Sequence, residues 1–95
     1  MDLDIKHQKN KFSFHIDNQE AFLDYSKIEE QQVWDFYHTF VPPELRHKQI
    51  GEKIVVFALN FAKEKRFLVI PSCPFVKKVI DNYPEFKDLI FKANR

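Results

Sequence analysis

Cysteine and glycine each occur once in this 95-residue chain, and neither sign of charge prevails, with fifteen Lys and Arg against fourteen Asp and Glu. A lone cysteine excludes an internal disulfide, and no Cys/His cluster has zinc-ligand spacing, so a reducing, cytoplasmic setting is expected and no metal site. Balanced charge provides no general field toward nucleic acid or a polyanionic surface. No apolar run is long enough to span a bilayer, and the opening Met1-Asp2-Leu3-Asp4-Ile5-Lys6 lacks signal-peptide character, so the expected protein is soluble. Repeats, low-complexity tracts and linkers are also missing. One domain over residues 1–95, built on one core, is the expectation.

Aromatic residues are abundant, with eleven Phe, three Tyr and one Trp, and this argues for a packed core rather than disorder. Phe12, Phe14 and Ile16 alternate with polar residues at the period of a half-buried strand, and Asp17-Asn18 reads as a turn. From Glu20 to Ile28, Ala21, Leu23 and Tyr25 fall on one face. The polar group Glu29-Glu30-Gln31-Gln32 suits a hairpin connection, although it lacks the glycine of a tight turn. A third strand, Val33–Val41, is expected to put Trp34, Phe36, His38 and Phe40 on one side, with Val33, Asp35, Tyr37, Thr39 and Val41 on the other. Pro42-Pro43 stops it. A short strand near Leu3–His7 has weaker support.

From Ile50 the period changes: Ile50, Ile54, Phe57, Ala58, Phe61 and Ala62 recur at helical spacing, with Glu52, Lys53, Asn60, Lys63 and Glu64 as the wet face. Val55, Val56 and Leu59 widen the apolar surface, so this helix is expected to be buried on more than one side. Phe67-Leu68-Val69-Ile70 reads as a strand buried on both faces, and strand, helix, strand in that order implies a right-handed parallel crossover. Pro74 fits the first position of a second helix carrying Phe75, Val76, Val79, Ile80 and Tyr83, ended by Pro84. One or two further helical turns are expected over Glu85–Phe91. The expected class is α+β: a mostly antiparallel sheet of four to five strands with one parallel crossover and two main helices.

Two segments carry candidate chemistry. His38-Thr39-Phe40-Val41-Pro42-Pro43-Glu44-Leu45-Arg46-His47-Lys48-Gln49-Ile50-Gly51 runs from a strand end to a helix start, whose free backbone N–H groups can hold phosphate. Arg46, His47 and Lys48 form a basic cluster that either adds side-chain donors or is a solvated helix entry. Gly51 is open to both readings as well. In Pro71-Ser72-Cys73-Pro74-Phe75-Val76, Cys73 falls at a helix start, where the dipole stabilises a thiolate; the alternative is a small buried residue in a tight turn. His38 has the side chain of a general base near neutrality, or of a packed strand histidine. Tyr83 is a proton donor or a core aromatic.

Together these segments resemble the acetyl-CoA-binding region of the GNAT N-acetyltransferase superfamily, in its minimal single-domain, YjdJ-type branch. The resemblance rests on His38, Thr39, Val41, Pro42, Arg46, Gly51, Pro71, Cys73, Phe75, Val76, Tyr83 and Pro84, and covers about Phe12 to Leu89. It implies a GNAT-like fold and an enzyme that moves acetyl from acetyl-CoA to an amine: a protein lysine, a polyamine or a small amine. The implied cofactor contacts are Thr39, Phe40 and Val41 along the pantetheine arm, and Arg46, His47, Lys48, Gln49, Ile50 and Gly51 at the phosphates. Cys73 and His38 are the implied catalytic residues. Gln49 and His47 stand where this branch carries glycine, and a left-handed backbone at Gln49 would cost roughly 1–2 kcal/mol. The alternative is a non-catalytic module that keeps the fold and binds an acyl-CoA or a protein. Either is expected as a monomer or weak homodimer.

Overall fold

The computed structural model describes residues 4–28 and 32–92, without the side chains of His47 and Lys48. Five strands, β1 (Lys6–Gln8), β2 (Lys11–Ile16), β3 (Gln19–Ile28), β4 (Val33–Phe40) and β5 (Leu68–Ile70), form one sheet in sequence order. All neighbours are antiparallel except β4 and β5, which are parallel. A 3-10 segment, Pro43–Lys48, and helix α1 (Ile50–Lys65) join those two; helix α2 (Pro74–Asn82) and a second 3-10 segment, Pro84–Leu89, follow β5. This is the α+β architecture expected from the sequence, with the final turns in 3-10 form.

The β2–β3 turn is made by Asp17 and Asn18, both at positive φ, which is the two-residue geometry that matches strand twist. Expectations about the polar Glu29–Gln31 connection fall outside the described residues. Phe12, Leu23, Tyr25 and Phe36 face α1, where Ile54, Val55, Ala58, Leu59 and Ala62 complete a single buried cluster. The helix is buried over a broad arc, as expected, against the sheet and against α2, although Phe57 is 40% exposed. Strand β5 also differs from expectation. Only Val69 is fully buried while Leu68 is exposed, because the strand has three residues and one covered face. Its outer edge is closed by a bridge from Val69 to Ile90 and by the Phe91 N–H donating to the Val69 carbonyl.

The main departure lies in β4. Tyr25 pairs with Phe36 but Asp24 pairs with His38, so Tyr37 is an extra residue, a β-bulge. The bulge breaks the regular alternation. Trp34 and Phe36 face the helices as expected, but beyond Tyr37 it is Thr39, opposite Leu23, that joins them. His38 and Phe40 turn to the far face, where both rings lie 5.8 Å from Phe22.

At the other end of the sheet, the His7 ring stacks on Phe12 at 4.2 Å, with its Nε2 2.6 Å from the Tyr25 hydroxyl. Burial, with the Lys27 charge adding to it, holds the imidazole below its ordinary value. Stability derived from neutral His7 is fully present above about pH 6.5 and is lost as pH falls through the lower folded value. Melting temperature measured against pH should therefore fall on acidification below 6.5, and His7→Phe should flatten that part of the curve.

Candidate functional site

Two proline residues end β4, and the chain tightens into a 3-10 turn closed by the Leu45 N–H donating to the Pro42 carbonyl. Arg46 Nε donates to the Val41 carbonyl at 2.8 Å, tying the end of this turn back to the strand. Gln49 then takes left-handed geometry, φ 59° and ψ 27°, and caps α1 by accepting from the Lys53 N–H. The N–H groups of Ile50, Gly51 and Glu52 have no intrahelical acceptor in such an arrangement.

Beside this joint, β4 has a free edge. Its parallel pairing with β5 extends only from Val33 to Asp35, and the Cys73 N–H donates to the Phe36 carbonyl at 3.0 Å. Beyond Phe36 the two elements diverge. An open groove of about 480 Å³ lies along the divergence, lined by Thr39, Phe40, Val41, Arg46, Gln49, Gly51, Glu52 and Phe75. Gly51 is tightly packed in its wall: a Cβ there would lie 2.9 Å from Val41 Cγ2 and 3.3 Å from the Phe75 ring.

A sequence model of the family described as GCN5-related N-acetyl-transferase matches residues 11–89. The chain belongs to that family. The solution structure of a GCN5-like proposed N-acetyltransferase from Staphylococcus aureus is similar at 26% identity and a TM-score of 0.74, over 99% of this chain and 93% of the other.

Within this GCN5-related fold, the residues picked out in the sequence are not all brought together. Thr39, Phe40, Val41, Arg46, Gln49 and Gly51 line the groove. Ile50 is buried in the core, so only its backbone can face a ligand. The side chains of His47 and Lys48 lie outside the described set. Cys73 caps α2, as Pro74 at the first helical position implied, and it is buried next to the groove wall. Its Sγ lies 3.5 Å from Thr39 Oγ1. Burial pushes the thiol up, but the Thr39 hydroxyl and the N–H groups of Val76, Phe75 and Thr39 outweigh it, leaving Cys73 below its ordinary value. His38 is exposed on the opposite face of β4, so the bulge separates it from Cys73.

Glu52 was read in the sequence only as part of the wet face of α1. The Tyr83 hydroxyl, just past α2, donates a hydrogen bond to Glu52 Oε2 on α1 at the edge of the groove. That hydrogen bond, and the carboxylate charge behind it, raise Tyr83 above the ordinary phenol value. No sequence spacing pointed to this pair, because Glu52 and Tyr83 meet only through the crossing of two helices.

Two substitutions test this packing. Gln49→Gly removes the left-handed strain at some cost in unfolded-state entropy, and chemical denaturation should show a gain of up to about 1 kcal/mol. Gly51→Ala gains about 1 kcal/mol of helix propensity but forces Val41 and Phe75 apart, an overpacking cost of about 1–3 kcal/mol. Denaturation of this variant should show a net loss of about 1 kcal/mol.

Proposed function

We propose that the groove binds acetyl-CoA and that the protein transfers the acetyl group to an amine. The observation that carries this reading is the continuity of the groove, which runs from the unpaired edge of β4 to the free N–H groups at the start of α1. An extended pantetheine arm, which carries amide donors and acceptors, finds an open strand edge at Thr39, Phe40 and Val41. A diphosphate finds backbone donors at Ile50, Gly51 and Glu52, with Arg46 beside them. Arg46 uses Nε on Val41, and among the described residues no carboxylate pairs with it, so its terminal nitrogens are available to an anion.

The missing loop glycine does not argue against this fit. Gln49 reaches the left-handed conformation without glycine, so the loop backbone keeps its shape at an energetic cost. The bound thioester supplies an activated acetyl group. Cys73, with its depressed thiol behind Thr39, is the nucleophile candidate. Tyr83, hydrogen-bonded to Glu52 at the groove edge, is the candidate proton source, and His38 on the far face is a base only for an acceptor that arrives from that side. The acceptor class is an amine, and with so little chain left to build walls the site is open to a large one.

Titration of the labelled protein with acetyl-CoA, followed by backbone-amide NMR, should give saturable shifts at Thr39–Val41 and at Gln49–Glu52. Adenosine diphosphate alone should move only the second group. Absence of shifts at millimolar acetyl-CoA would refute the reading.

A further inference from the structure

Cys73 is 7% exposed and does not line the groove, whereas Thr39 lines it and touches the sulfur. The Thr39 side chain therefore stands between the groove and the thiol. Its orientation has a specific cause. In a regular strand Thr39 would face away from Phe36, and only the extra residue at Tyr37 turns it toward the helices and Cys73.

We propose that Thr39 is a positioning residue for Cys73, its hydroxyl holding the sulfur at the rear wall of the groove. This rests on the acetyl-transfer reading for its catalytic meaning, but the contact itself does not depend on it. The hydrogen bond to the Thr39 hydroxyl, 3.5 Å from Sγ, is the one side-chain contact that holds the thiol down, acting with backbone groups of Thr39, Phe75 and Val76. Among the described residues no charged side chain contributes, from β4, α1 or α2, so removing the hydroxyl removes the only side-chain lever on the thiol. A hydroxyl can donate to a thiolate and accept from a thiol, so it can follow the sulfur through a change of protonation state.

The test compares Thr39→Val, which keeps shape and strand preference but loses the hydroxyl, with Thr39→Ser, which keeps the hydroxyl. With one cysteine in the chain, thiolate ultraviolet absorbance against pH reads Cys73 directly once the Cys73→Ser curve is subtracted as the tyrosine background. The thiol midpoint should shift upward in Thr39→Val and remain near the native position in Thr39→Ser. In acetyl transfer from acetyl-CoA, Thr39→Val should lower kcat, with KM for acetyl-CoA little changed, and the acidic limb of the pH profile should move with the thiol. A Thr39→Val midpoint equal to the native one overturns the proposal. So does an equal shift in both variants, which would make Thr39 a packing residue. If wild-type protein shows no binding of acetyl-CoA while the midpoints behave as expected, the functional reading fails and the positioning role stands.

Discussion

Strand β4 is held differently on its two edges, and the arrangement of the site follows from that difference. On one edge it pairs with β3 from Val33 to Phe40; on the other it meets β5 only from Val33 to Asp35. The Cys73 N–H donating to the Phe36 carbonyl is the last bond before the elements part. Backbone groups beyond that point would ordinarily be a liability, since an unpaired strand edge invites another chain. Here residues at the starts of α1 and α2 flank the opening, so what remains is an open groove along the strand edge. The bulge at Tyr37 adds the second half of the constraint by turning Thr39 inward.

Left-handed backbone is the other recurring demand, and the chain meets it without glycine. Among the described residues the positive-φ positions are all non-glycine: Asn10, Asp17, Asn18, Gln49 and Arg66. The three Asn and Asp positions are ordinary turns, since these side chains tolerate that region. Gln49 and Arg66 are the costly ones, and they bound α1 at its two ends. The single glycine is spent elsewhere, at a helical position where Val41 and Phe75 leave no room for a Cβ. Close packing over the first turn of α1 thus has priority over turn relaxation. The consequence is a helix start whose position is fixed by side-chain contact from Val41, just past β4, and from Phe75 of α2.

Much of the fold was legible because its signals are local. Alternation gave β2 and β3, three-and-four spacing gave α1, and Pro74 gave the start of α2. Motif residues led to the groove wall in the same way, since Thr39, Val41, Arg46 and Gly51 are sequential neighbours of the strand end and helix start. What was not legible depends on contacts between distant segments. The bulge carries no glycine, and the aromatic run Trp34, Phe36, His38 and Phe40 looks like unbroken alternation, so His38 was placed on the same face as Phe36. The bond between Glu52 and Tyr83 and the contact between Thr39 and Cys73 arise from helix crossing and strand divergence, which no spacing encodes. Phe57 fits the helical spacing and its ring lies 6.0 Å from Phe12, yet at the margin of the buried arc it stays 40% exposed.

The central claim is that the free edge of β4 is where the cosubstrate lies. Amide hydrogen exchange at Tyr37–Phe40, measured with and without acetyl-CoA, tests it most directly. The account predicts that edge-facing amides in this stretch exchange fast in the free protein and become protected on addition of acetyl-CoA, while adenosine diphosphate leaves them fast. Exchange at these amides that is already slow in the free protein, or that acetyl-CoA leaves unchanged while binding elsewhere, would contradict it.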